Sequence, residues 1–274
     1  MIHWLFWPAV ALTLPQALWI KQTAVRFTDA DGPAQGTLEG QEPLRLCGIG
    51  DSIISGVGCL TLNRALIGCT ARALSARYER GVHWQAIGRT GATTGGIAKH
   101  LLPKLPKTEV DVFLVSAGVN DITALKRLPS WSTALKALIQ SLHDHSPDAR
   151  IVLLGIPPIH CFPLLPQPLR SVFGCRARSF DQAAMALVQS LDHAVYVPFE
   201  GDFPQEKFAP DGYHPSENAC IELAEEVVLR LASDHSMAFM APQVRESGPA
   251  PDPHGASDRP QASSALHELQ VRRG

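Results

Sequence analysis

The chain has 274 residues, 18% charged and 45% hydrophobic, with a formal net charge of −2. That is ample material for one sizeable α/β core, and the near-neutral balance gives no electrostatic reason to expect nucleic acid as a partner. The six cysteines, at 47, 59, 69, 161, 175 and 220, form no C-x-x-C pair, so a zinc site of the usual close spacing is not expected.

Residues 1–27 form an apolar N-terminal segment. Trp4 to Ile20 carries no charge and is interrupted by Pro8, Pro15 and Gln16. It is short for a membrane span of roughly 20 residues, and without a basic n-region or a small-residue cleavage site it does not read as a cleaved signal peptide. Two readings stand: a single membrane anchor, or a helix lying on the folded body or at a bilayer surface. Lys21 and Arg26 favour keeping the folded body on the cytoplasmic side. The chain is thus expected to be membrane-associated through residues 4–20 or cytoplasmic, with secretion disfavoured. Residues 28–43, with Gly32, Pro33, Gly36, Gly40 and Pro43, read as a linker. Residues 237–274, rich in Pro, Ser, Gly and charge, read as a disordered tail.

The folded body is then 44–236. Leu44 to Ile49 is an apolar run ending in Gly, expected as a buried strand. A helix is expected within 60–78, a strand over 83–87 and a helix over 94–102 stopped by Pro103. Val110 to Ala117 is the clearest strand. A helix over 131–145, a strand over 151–156, a helix over 179–193, a strand over 194–197 and a last helix over 216–232 follow, with Ser216 as its N-cap. Apolar strands alternating with helices predict a five-stranded parallel sheet covered on both faces. Sites in such sheets lie beyond the carboxyl ends of the strands.

Three fragments fall at those ends or return to them: Gly50-Asp51-Ser52, Gly118-Val119-Asn120-Asp121, and Asp211-Gly212-Tyr213-His214. They supply a hydroxyl nucleophile, an amide donor, and a His with a carboxylate three residues before it. A Ser hydroxyl needs a base within hydrogen-bond reach, and neutral imidazole can take its proton and return it to a leaving group. Ser52, His214 and Asp211 are the expected nucleophile, base and orienting carboxylate. Asp121 is the rival for the third role, and Asp51 and Asp121 are otherwise expected to brace their loops. Cys47, Cys69 and Cys220 read as core residues. Cys161 and Cys175 flank a Pro-rich loop and either stay free or pair in an oxidising compartment. The segment 157–174 reads either as an apolar wall for an acyl group or as a loop packed on the sheet.

Over residues 44–233 the chain resembles the SGNH (GDSL-type) hydrolases. Gly-Asp-Ser-Ile at 50–53 stands where that family commonly has Gly-Asp-Ser-Leu. Gly91, within Gly88 to Thr94, matches the second block, Gly118 to Asp121 the third, and Asp211 to Pro215 the last. The resemblance implies a flavodoxin-like three-layer α/β/α sandwich. It also implies an oxyanion hole of the Ser52 and Gly91 backbone N–H groups and the Asn120 side-chain amide, with the absent side chain at Gly91 letting the backbone approach substrate. The expected function is a serine esterase without metal or cofactor, cleaving short- to medium-chain or lipid-like carboxylic esters through an acyl-enzyme on Ser52. Two alternatives stand beside it: a carbohydrate O-acetyl esterase using the same residues, and a non-catalytic ligand-binding protein on the same scaffold.

Overall fold

A computed structural model of the protein describes residues 3–24 and 27–233; the tail expected over 237–274 lies outside them. Among the described residues the strands are β1 (Gln35–Leu38), β2 (Leu44–Gly50), β3 (Val82–Gly88), β4 (Val112–Ser116), β5 (Arg150–Leu154) and β6 (Ala194–Val197). The helices are α1 (His3–Thr23), α2 (Leu66–Tyr78), α3 (Thr94–His100), α4 (Val119–Thr123), α5 (Leu128–His145), α6 (Leu169–Val188) and α7 (Glu217–Ser233).

The strands form one sheet in the order β1-β3-β2-β4-β5-β6. Strands β2 to β6 are parallel, as the alternating pattern predicts, and run in a doubly wound order. The five-strand expectation is short by one. β1 pairs antiparallel with β3, Gln35 opposite Gln85 and Leu38 opposite Val82, within the stretch expected as linker. Its four residues are exposed or half-exposed and include a glycine, so no apolar run marks them. An edge strand of this kind is set by its neighbour rather than by its own pattern.

Side chains alternate across the sheet and divide the core in two. Cys47, Ile49, Phe113, Val115, Ile151 and Leu153 face α3, α5 and α6. Leu44, Leu46, Val112, Leu114, Val152 and Leu154 face α2 and α7. Phe113, Leu114, Ile151 and Val152 are fully buried, and each such side chain contributes about 1.5–3 kcal/mol on leaving water.

Helix α6 begins ten residues before the expected 179. The prolines at 163, 166 and 168 suggest a loop through that region, yet Pro168 stands at the position just before the helix, where proline is compatible with helix initiation. Leu169, Val172, Phe173, Ala177 and Phe180 form its buried stripe, the i, i+3, i+4 spacing of a helix face. Phe6 and Val10 of α1 pack on Val172. Gln16 ties the two helices: its Nε2 donates to Gln167 O at 2.7 Å and its Oε1 accepts from Leu169 N at 3.2 Å. Helix α1 thus lies on the domain. Among the described residues no helix is long and apolar enough to cross a membrane.

All six cysteines are free, Cys161 and Cys175 included. Cys47, Cys69 and Cys220 are buried, as expected of core residues. A thiol contact occurs instead between Cys59 and Cys220, with Sγ–Sγ 3.7 Å.

Candidate active site

β2 and β4 are neighbours, but the chain leaves β2 through α2 toward β3 on one side and leaves β4 through α5 toward β5 on the other. The crevice opened by that divergence is where open α/β sheets bind ligands. Here it receives the turn after β2, carrying Ser52, and α4 after β4, carrying Asn120. The Asp51 N–H donates to Ser116 O at 3.2 Å and Ser116 Oγ donates to Asp51 Oδ1 at 2.8 Å, joining the two strand ends.

His214 arrives from the opposite end of the chain. The Asp211 carboxylate organises its loop, accepting from the N–H groups of Tyr213 at 2.9 Å and His214 at 3.0 Å through Oδ1. Its Oδ2 stands 2.6 Å from His214 Nδ1. Ala209 N donates to His214 O at 2.8 Å and Leu164 N to Gly212 O at 3.1 Å, which fix the loop to its surroundings. His214 Nε2 lies 2.9 Å from Ser52 Oγ. Burial alone would raise the Asp211 pKa, but the hydrogen bonds from the His214 ring and from the His214 and Tyr213 backbone outweigh it and hold the carboxyl below its ordinary value. An ionised carboxylate can only accept, so Nδ1 carries the ring proton and the Nε2 lone pair faces the Ser52 hydroxyl.

The rival carboxylate does other work. Asp121 Oδ2 accepts from both the N–H and the Oγ1 of Thr94, each at 2.8 Å. Trp131 Nε1 donates to the same Thr94 Oγ1 at 3.0 Å. Asp121 thereby fastens α4 to the 89–94 loop and does not bond His214. Burial raises its pKa against the lowering effect of the Thr94 bonds. Asp51 is 2% exposed, and burial pushes its carboxyl up to about 6 despite the bonds from Ser116 and Ile53 and the nearby His214.

Asn120 Nδ2 donates one proton to Ala92 O at 3.0 Å, which leaves its second N–H without an acceptor among the described residues. The N–H groups of Ser52 and Gly91 meet no acceptor among the described residues. Gly91 has φ +77°, and a Cβ there would enter open space. The turn itself therefore requires glycine at 91, a different reason from the close approach inferred from sequence.

A cavity of about 230 Å³ opens beside Ser52, Asn120 and His214. Pro157, Pro158 and Phe162 contribute to its wall, and so do Phe199, Phe203, Phe208 and Leu223. Of the segment 157–174, only its start faces this cavity; Leu169 to Gly174 turn into α6. Phe162 packs edge-on against Phe208 and Tyr213, ring centroids 5.5 and 4.9 Å away. The rim is charged, with Lys207 paired to Glu222 at 2.9 Å. Sequence reading missed the 199–208 wall. Its one sequence signal is three phenylalanines in a connection with no helical or strand period, where aromatics have no core to serve locally. Gly91 is not among the residues lining this cavity.

A doubly wound α/β/α sandwich with a Ser–His–Asp chain at its switch point is the arrangement of a hydrolase that works by acyl transfer. The chain belongs to the GDSL-like lipase/acylhydrolase family, whose model matches residues 49–219, and it is a carboxylic ester hydrolase. The sequence matches no curated protein. Among solved structures, a Clostridium thermocellum family 3 carbohydrate esterase is similar at 17% identity and TM-score 0.59, over 73% of this chain and 100% of that one. The lipase Lip_vut3 from a goat rumen metagenome is similar at 17% identity and TM-score 0.56, over 70% of this chain and 98% of that one. A catalytic mutant of Axe2, an acetylxylan esterase from Geobacillus stearothermophilus, is similar at 16% identity and TM-score 0.54, over 70% of this chain and 94% of that one. These likenesses concern the fold.

Proposed function

We propose that Ser52 is the nucleophile of a two-step ester hydrolysis, with His214 as general base and acid and Asp211 as the group that orients it. Ser52 Oγ attacks the acyl carbonyl while its proton passes to His214 Nε2. The tetrahedral oxyanion is stabilised by the N–H groups of Ser52 and Gly91 and the free N–H of Asn120. Collapse transfers the proton from His214 to the departing alcohol and leaves the acyl group on Ser52. Water then repeats the sequence with His214 as base, releasing the carboxylic acid and restoring the hydroxyl. The observation that carries this reading is the unbroken relay from Ser52 Oγ through both ring nitrogens to Asp211, at 2.9 and 2.6 Å.

The aromatic and proline walls of the adjoining cavity support short- to medium-chain acyl groups, including those of lipid-like esters, as the preferred substrates. Likeness to a carbohydrate esterase and an acetylxylan esterase supports a second reading, removal of acetyl from sugar, with the same residues. A purely ligand-binding role has no use for an aligned proton relay.

The test is turnover of chromogenic esters graded from acetyl to long acyl, by the wild type and by Ser52→Ala. We expect hydrolysis by the wild type with an optimum at short to medium chain, and a loss on the order of 10⁴–10⁶-fold in the folded variant. Acetylated sugar as the sole substrate would favour the second reading. Turnover that survives in Ser52→Ala would overturn the mechanism.

A further inference from the structure

Helix α1 has an unusual surface for a helix lying on a domain. One face, Phe6, Val10 and Thr13, is buried. The rest of its surface should be polar if water covered it. Instead it presents Trp7, Leu12, Leu14, Leu18 and Trp19, with Leu12 83% and Trp19 59% exposed. From Trp4 to Ile20 there is no charged residue on any face. Leu12 and Trp19, seven positions apart, form one exposed stripe, and Trp7, Leu14 and Leu18 a second, so the helix is apolar on both sides of its buried face.

Cations border this helix. It packs on α6 and on the turn at Leu125. Those elements bring Arg176 on α6, and Lys126 and Arg127 in the turn. The sequence has no Asp or Glu between 122 and 143, between 149 and 180, or before Asp29. Arg176 lies 4.2 Å from the centroid of the Phe6 ring, and its Nη2 donates to Lys126 O. Arg127 and Arg176 also line one groove with Phe6 and Trp7. An apolar helical surface with tryptophans, bordered by Lys126, Arg127 and Arg176, has the chemistry of the boundary between headgroups and acyl chains of an anionic bilayer.

We propose that the exposed apolar surface of α1 docks this protein, without spanning, on an anionic lipid surface. Trp7, Leu12, Leu14, Leu18 and Trp19 enter the boundary, while Lys126 and Arg127 meet the headgroups. The site is structurally continuous with this surface. The segment that lines the cavity at Pro157, Pro158 and Phe162 runs on to Gln167 and Leu169, whose backbone Gln16 of α1 holds. Resting on the esterase reading, this makes esters carried in a bilayer the class of substrate best placed to reach Ser52.

The test measures binding separately from turnover. Full-length protein is sedimented with vesicles of phosphatidylcholine alone and of phosphatidylcholine with about one-fifth phosphatidylserine. We expect retention on the anionic vesicles, weakening with salt. Leu12→Glu/Trp19→Glu should reduce it by at least tenfold while leaving hydrolysis of a water-soluble ester unchanged, which shows that the variant is folded. Arg127→Glu should reduce it about fivefold or more. Ser52→Ala should bind as the wild type does, so a failed esterase reading would not register as failed docking. Vesicle binding that is absent, or equal in the wild type and the double variant, overturns the proposal. Lipid-free dimerisation that the double variant abolishes also overturns it, by assigning the face to a second copy of the chain.

Discussion

Replacing Asp51 by Asn tests how the switch-point crevice holds its charge. Asp51 is almost wholly shielded from water, and burial lifts its carboxyl from 3.8 to about 6. A rise of about two units corresponds to roughly 3 kcal/mol of differential stability between its protonated and ionised forms. The sign follows from proton binding. Between about pH 4 and pH 6 the folded state holds this proton and the unfolded state has released it, so stability falls as pH rises through that window. The amide of Asp51→Asn cannot ionise, and its oxygen can still accept from Ser116 Oγ and Ile53 N, the bonds Asp51 makes at 2.8 and 3.1 Å. The assay is denaturant unfolding of both proteins from pH 4 to pH 7. The stability of Asp51→Asn relative to the wild type should grow with pH by about 3 kcal/mol and level off above pH 6. Carboxylates shared by both proteins, Asp211 among them, cancel in the difference. A difference that stays flat across the range would refute the assignment of a protonated, buried carboxyl at 51.

Asn120→Ala removes a proposed oxyanion donor and should lower kcat by about 10²–10³-fold with little change in KM; steady-state kinetics decide it, and a rise in KM alone would mean Asn120 only binds substrate. Gly118→Ala should destabilise the protein by about 2–4 kcal/mol, because a Cβ there would sit 2.4 Å from Ile156 Cδ1 on a backbone with φ +129°. Since Gly118 precedes the helix bearing Asn120, activity should fall with it; an unchanged denaturation midpoint would show that the turn tolerates a side chain.

Much of the fold was legible because β2, β4 and β5 are buried on both faces and read as continuous apolar runs. The positions of Ser52, Asn120 and His214 were legible because each follows a glycine by two residues, at 50, 118 and 212. β1 was not, since a half-exposed four-residue edge strand gains its conformation from β3. The start of α6 was hidden by three prolines, though the Leu169, Val172, Phe173 spacing was present. The cavity wall at Phe199, Phe203 and Phe208 depends on how a long connection folds back over the sheet edge, which no local pattern encodes. Sequence alone left Asp121 as a rival to Asp211; its bond to Thr94 depends on contact between loops 27 residues apart.

The contact between Cys59 and Cys220 joins residues 161 positions apart. One follows the turn that holds Ser52, and the other lies in the first turn of the helix that begins just after His214. A disulfide made there by an added oxidant would close a ring of chain over 59–220 that contains His214, with Ser52 seven residues outside it, even in the unfolded state. In the chain-entropy account, a ring of that size restricts the denatured ensemble by about 5 kcal/mol. Ser52 and His214 would then be held near one another before the sheet between them had formed.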